Sequence, residues 1–509
     1  MTTSSTSDEN EERADLPRVS TGSGGLDDIL GGGFDADRVY LYEGRPGTGK
    51  TTIALQFLLE GVRSGERVLY ITLSETEREL KLVAKRHGWS LAKVDMFELV
   101  PPETTLDPER QLTVFHPADM ELSETIDLVF KEVERINPTR VVFDSLSELR
   151  LLAQSPLRYR RQVLALKHFF ASRHCTVVLL DDLSAAQDDL QLHSIVHGVI
   201  LLEQLAIDYG AERRRLRVLK MRGIPFRGGF HDFVIETGGL KIFPRLVAAE
   251  HHADFAIEYT PSGNAELDQL LGGGLERGTN ALLIGAAGVG KSSLALTFAI
   301  AAAERGEHAA LFAFDEGRGT IEARAHTLGL PLVKHVEAGL IELKQIDPAE
   351  LSPGEFAAAV RRCVEDNGAR IVIIDSLNGY LNAMPDERFL ILQMHELLSY
   401  LAQQGVLTIL VLAQHGLVGP METPLDISYL SDAVLMLRYF EVGGTVRRAL
   451  SVVKKRSGRH EHTIREFRLS GNGISIGPPL KDFSGIFSGN PRFTGTHIPN
   501  VVDDADGRD

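Results

Sequence analysis

The chain has little of what marks a secreted or membrane-embedded protein. It has two cysteines in 509 residues, Cys175 and Cys363. They stand far apart, and a hydrophobic run follows Cys175. This argues against a disulfide or a cysteine metal site and predicts two buried, reduced thiols. No apolar run reaches the length of a membrane span. Met1 to Arg13 is rich in Ser and Thr, then acidic, with no apolar stretch. No signal peptide is expected there, and the cytoplasm is the expected compartment. Basic residues are also scarce: 54 Lys and Arg against 70 Asp and Glu, for a formal net charge of -16. Proteins that live on nucleic acid usually present a basic surface, so nucleic acid is not the expected partner.

The 43% hydrophobic and 24% charged fractions are those of an ordinary globular protein. The length exceeds one hydrophobic core and calls for two or three domains. Residues 1–16 offer almost nothing to bury and are expected to be a disordered tail. Residues 486–509 form a C-terminal tail, with disorder expected from about Gly489 to the terminal Asp509. Between the tails lie two halves, 17–248 and 249–485, with the same order of landmarks. Gly25 to Gly33 is echoed by Glu266 to Gly274. In each half an apolar strand, a glycine-rich loop and a helix follow. The strands are Val39 to Tyr42 and Ala281 to Ile284, and the helices Thr52 to Glu60 and Ser293 to Ala303. Further apolar strands end in acidic residues or in Asp-Ser, and a basic phrase closes each half. Continuously apolar strands alternating with helices predict an α/β fold: two tandem domains, each a mostly parallel sheet covered on both faces.

The loops carry the chemistry. Gly44 to Thr51 and Gly285 to Ser292 both fit G-x-x-x-x-G-K-[ST] without mismatch. Glycines let backbone N–H groups turn toward phosphate oxygens, and the following helix adds its positive end. The predicted ATP-binding residues are Gly47, Thr48, Gly49, Lys50, Thr51 and Thr52, and Gly288, Val289, Gly290, Lys291, Ser292 and Ser293. Lys50 and Lys291 would reach the β- and γ-phosphates. Thr51 with Asp144, and Ser292 with Asp375, would hold Mg²⁺. The bland alternative for the loops is a glycine-rich turn that happens to precede a lysine. For the aspartates it is a helix N-cap. Glu75 in one half, and Asp315 with Glu316 in the other, end the next strand and could activate a water or hydroxyl; they too could be N-caps. Lys220 and Arg222, and Lys454 and Arg456, lie in strands near the end of each half. Each pair could act across a subunit boundary on a γ-phosphate, or could form a solvated basic edge strand.

Together these residues resemble the KaiC family, the tandem-domain ATPases of the bacterial clock, within the RecA/DnaB superfamily. The likeness covers about 17–490. It is most specific at Gly31 to Gly33, Ile71 to Thr76, Asp375 to Leu377, Ile464 to Phe467 and Asp482 to Gly489. It implies a hexameric double ring with ATP between subunits, hydrolysis in the N-terminal ring, and Ser/Thr autokinase and autophosphatase activity in the C-terminal ring. The family's paired acidic residues fall on Ser74/Glu75 and Asp315/Glu316, so the first carboxylate is missing here. The adjacent Ser-Thr phosphoacceptors fall on Ser428-Tyr429, with Thr423 and Ser431 nearby. The trans-acting lysines and arginines match Lys220, Arg222, Lys454 and Arg456; Lys455 and Ser457 depart from that phrase. The expected function is therefore a Mg-dependent ATPase and autokinase acting as a nucleotide-state signalling ring toward unidentified partner proteins. A nucleotide-gated scaffold with little turnover, or a DNA-acting motor, is the alternative.

Overall fold

The computed structural model describes residues 17–99, 117–153, 155–183, 190–206, 210–381, 387–414, 428–487 and 491–495. The expected N-terminal tail and Thr423 lie outside these residues. The chain forms two compact units, divided between Arg245 and Leu246.

Each unit is built on a nine-stranded sheet. In the first, the strand order from one edge is Asp95–Glu98, Val68–Thr72, Arg140–Asp144, Thr176–Asp182, Val39–Gly44, Gly198–Leu205, Arg213–Met221, His231–Glu236 and Gly239–Phe243. The first six strands run parallel, and the last three continue the sheet antiparallel. The second unit repeats this order, with Asn280–Gly285 at the place of Val39–Gly44 and Ala369–Asp375 at the place of Arg140–Asp144. Parallel strands are joined by helical crossovers, and those helices cover both faces.

Side-chain alternation divides each core in two. Tyr40, Tyr42, Tyr70, Val142 and Val178 pack toward the helix Lys50–Arg63. Leu41, Leu69, Val141, Phe143 and Val177 face the opposite way, among residues from the helices Pro117–Ile136, Leu146–Ala153 and Pro156–Ala171. In the second unit Leu283, Leu311 and Ile373 pack with the helix Lys291–Glu304. Leu282, Phe312 and Val372 face the helices Pro353–Glu365 and Glu387–Gln403. Cys175 and Cys363 are buried free thiols within these layers. No helix among the described residues is long and apolar enough to cross a membrane.

Three local expectations change. The helices after the glycine-rich loops begin at Lys50 and Lys291, two residues earlier than the apolar pattern suggested. Gly49 and Gly290 cap them with φ of +100° and +107°, so the loop lysines themselves occupy the first helical turn. Backbone of that hand strains any residue with a Cβ, and a Cβ would also press on the Ile235 or Phe467 side chain at 2.8 or 2.7 Å, so glycine is favoured at both positions. The basic phrases are not edge strands. Lys220 and Lys454 lie in interior strands, paired with Val199 and Val434 on one side and beyond the stretch that pairs on the other, and Arg222 and Arg456 stand just past the strand ends. The tail beyond Gly489 also has order: Arg492–Phe493 pairs antiparallel with Phe483–Ser484. There the Phe483 and Phe493 rings lie 5.2 Å apart. Those apolar contacts were hidden by the Gly, Pro and Asn around them.

Candidate functional site

Parallel strands place all their C-terminal ends on one edge, where open α/β sheets collect function. In the first unit the loop strand ends at Gly44, in register with Asp182 on one side and Leu202 on the other. Asp144 ends the next strand but one, in register with Thr72, and Glu75 follows three residues later. The second unit brings Gly285, Ala413, Leu437 and Asp375 to the same edge. Leu73 N donates to Asp144 O at 2.7 Å, and Phe314 N donates to Asp375 O at 2.7 Å. This fixes the equivalence of Ser74/Glu75 with Asp315/Glu316. The Asp144–Ser145 and Asp375–Ser376 peptide bonds are both cis.

The two lysines are buried at the loops. Lys50 Nζ donates to Gly44 O at 2.7 Å and Arg45 O at 3.0 Å, and pairs with Asp182 at 2.8 Å. Lys291 Nζ donates to Gly285 O at 3.0 Å and Ala286 O at 2.7 Å. Burial lowers the Lys291 ammonium to about 8, against the opposing charge of Asp375.

Each aspartate, Asp144 buried and Asp375 half-buried, is tied to the hydroxyl that follows its lysine. Burial raises the Asp144 carboxyl. Hydrogen bonds from Tyr70 and Thr51 and the charge of Lys50 oppose that rise, and the charge of Asp182 adds to it. Tyr70 OH donates to Asp144 Oδ2 at 2.5 Å. Burial likewise raises Asp375, opposed by a hydrogen bond from Ser292. The N-cap alternative for these aspartates falls away, because their side chains serve Tyr70, Thr51 and Ser292. The donor set in each half, one hydroxyl and one carboxylate, is all oxygen. It suits Mg²⁺, a hard cation that takes few protein ligands and shares the rest with water and phosphate. Among the described residues no group of three or more His, Cys, Asp or Glu offers a cage for a metal.

The acidic residues beyond the next strand are not caps either. Thr76 caps the following helix with a capping box to Glu79, and Gly317 caps its counterpart. Glu75 is half-buried, and its Oε2 has no hydrogen-bond partner among the described residues. Burial raises its carboxyl, with Asp144 and then Glu79 adding to the effect. Glu316 is also half-buried, but Arg324 holds it, with Nη1 at 2.6 Å from Oε1. Asp315 is exposed and accepts a hydrogen bond from the Ser376 hydroxyl.

The basic phrases hold backbone of their own chain. Lys220 donates to His193 O and Val196 O, and Arg222 to Ser194 O at 2.7 Å. Lys454 donates to Ser431 O at 2.8 Å, and Arg456 to Tyr429 O at 2.9 Å and Asp432 Oδ1 at 3.1 Å. In both halves the pair clamps the segment that leads into the neighbouring strand. In the second half that segment is the turn Ser428–Leu430. The Ser428 side chain lies outside the description. Ser431 is wholly buried, which removes it as an acceptor, and Tyr429 is 54% exposed.

Motif reading found the loops, the aspartates and the glutamates. It missed Tyr70, Asp182, Arg324 and Ser376. Asp182 had a visible signal: two acids, Asp181 and Asp182, ending an apolar strand.

A family model described as "ATPase: KaiC" matches residues 19–247 and 260–481. The chain is 27% identical over 497 residues to the "Circadian clock oscillator protein KaiC" of a Picosynechococcus species, covering 96% of this chain and 94% of that protein. It is 28% identical over 489 residues to the protein of the same name from Synechococcus elongatus, covering 95% and 93%. A "Circadian clock protein KaiC3" from a Synechocystis species is 24% identical over 493 residues, covering 95% and 96%.

Proposed function

The chain belongs to the KaiC family of ATPases, and on that premise we propose that it is a Mg-dependent ATPase with one nucleotide site in each half and Ser/Thr autokinase activity in the second. The observation that carries this reading is the twofold convergence of lysine, hydroxyl, strand-ending aspartate and half-buried glutamate at one sheet edge. Lys50 and Lys291 bind the phosphates and offset their charge, together with backbone amides of residues 47–52 and 288–293. Thr51 with Asp144, and Ser292 with Asp375, would hold Mg²⁺, which supplies charge neutralisation and orients the phosphates.

Glu75 accepts a proton from the attacking water in the first half. In the second, Glu316 with Asp315 accepts the proton of a water or of the Ser428 hydroxyl. With serine as acceptor, the bond between the terminal phosphorus and its bridging oxygen breaks and ADP leaves. A phosphorus–Oγ bond forms, and the serine proton passes to the carboxylate. Lys220, Arg222, Lys454 and Arg456 are assigned to subunit boundaries of a homohexameric double ring in the cytoplasm, on the family likeness alone. Their bonds within this chain mean that assembly would have to release them. The acidic balance argues against a DNA-acting motor. Ser74, standing where the second half has Asp315, favours a slower, more scaffold-like first site.

Phosphopeptide mass spectrometry after incubation with MgATP tests the kinase half. Phosphate on Ser428, absent from Ser428→Ala, is expected. ATP consumption with no phosphate on any hydroxyl would remove that half of the reading.

A further inference from the structure

The two sites differ in what stands opposite the loop lysine. In the first, Asp182 ends the strand beside the loop strand, in register with Gly44. Its carboxylate pairs with Lys50 at 2.8 Å. With the carbonyls of Gly44 and Arg45, this occupies all three donors of the ammonium. In the second, Ala413 holds the same register against Gly285. Lys291 there keeps its two carbonyls, and no ion pair to it occurs among the described residues.

We propose that Asp182 is a built-in competitor for the terminal phosphate, so that the first site discriminates against ATP relative to ADP and the second does not. The inference rests on the phosphate-binding reading of the loops. A triphosphate claims Lys50 with both its β- and γ-oxygens and must displace Asp182. The displaced carboxylate is then left unpaired beside Asp144 and the γ-phosphate, all of one sign. A diphosphate needs only one donor from Lys50 and can leave the pair with Asp182 in place. The pair lies at the mouth of the site, with Lys50 9% and Asp182 42% exposed as side chains, so the competition is adjustable rather than absolute.

The test uses the full chain with Lys291→Ala, which leaves the first site as the only complete one, and calorimetric titration with MgATP and MgADP. Asp182→Ala and Asp182→Asn are each expected to tighten ATP about tenfold and ADP much less, which raises the ATP-to-ADP preference. In the full chain with Lys50→Ala, Ala413→Asp is expected to lower that preference at the second site, while Ala413→Asn leaves it unchanged. If the Lys291→Ala parent binds neither nucleotide, the phosphate-site reading fails and takes this proposal with it. If the parent binds both, but the Asp182 variants leave the preference unchanged or move the two nucleotides together, only the competitor role is overturned.

Discussion

Replacing Glu75 and Glu316 with glutamine is expected to cut ATP turnover by about 10²–10³-fold at the site each serves, while nucleotide affinity changes only a few-fold. Glutamine keeps the shape and a hydrogen-bonding tip but cannot take a proton. The two sites separate when Glu75→Gln is measured with Lys291→Ala, and Glu316→Gln with Lys50→Ala. The first site should also carry a pH signature. Glu75 is raised by burial, and Asp144 and Glu79 add to the rise. A base works only when deprotonated, so first-site turnover should climb with pH through a midpoint above the usual carboxylate range. The limb should vanish in Glu75→Gln. Turnover that survives the substitution at the parent rate would remove Glu75 from the mechanism. The second site adds a restraint, since Arg324 already pairs with Glu316 and must share it with the reacting oxygen.

The largest expected loss of stability follows from Arg140→Ala. Arg140 is 3% exposed and meets both oxygens of Glu66 at 2.8 Å. It also donates to Ser20 O at 2.8 Å and Phe57 O at 3.0 Å, and lies 4.9 Å from the Phe57 ring centre. Burial alone would raise the Glu66 carboxyl, but the bonds from Arg140 and Thr139 and the Arg140 charge hold it below the usual range. Removing the guanidinium takes its bonds from two backbone carbonyls and leaves the Glu66 carboxylate with Thr139 as its side-chain donor and no opposing charge, at a cost of about 3 kcal/mol. In a unit of this size, calorimetric unfolding should fall by roughly 6–12 °C for the first transition. Arg140 belongs to the first unit, so the transition of the second should stay in place. Arg140→Lys should recover only part, because a lysine cannot fork onto both oxygens. A shift of less than about 2 °C would mean that the cluster is dispensable.

The phosphate loops, the strand-ending aspartates and the repeated α/β layout are legible in the sequence because each is a local pattern: a motif, an apolar run with its terminator, a repeat. What escapes it is made by residues distant in the chain. Lys50 and Asp182 meet only because two strands far apart in the chain pair side by side. Arg324 reaches Glu316 from the helix Arg318–Thr327, which begins two residues after it, a spacing that carries no motif. The basic phrases are visible as charge, but their bonds to the carbonyls before the neighbouring strand depend on register. The Phe493 strand is concealed by turn-forming neighbours that composition reads as disorder.

Under the proposed function, each half would hold one magnesium-bound nucleotide through its own loop lysine. Calorimetric titration of the full chain with MgATP addresses it directly. Two binding events per chain are predicted, one lost in Lys50→Ala, the other in Lys291→Ala, and both in the double variant. Titration of the intact chain without binding heat at any temperature, or a stoichiometry untouched by both substitutions, would contradict it.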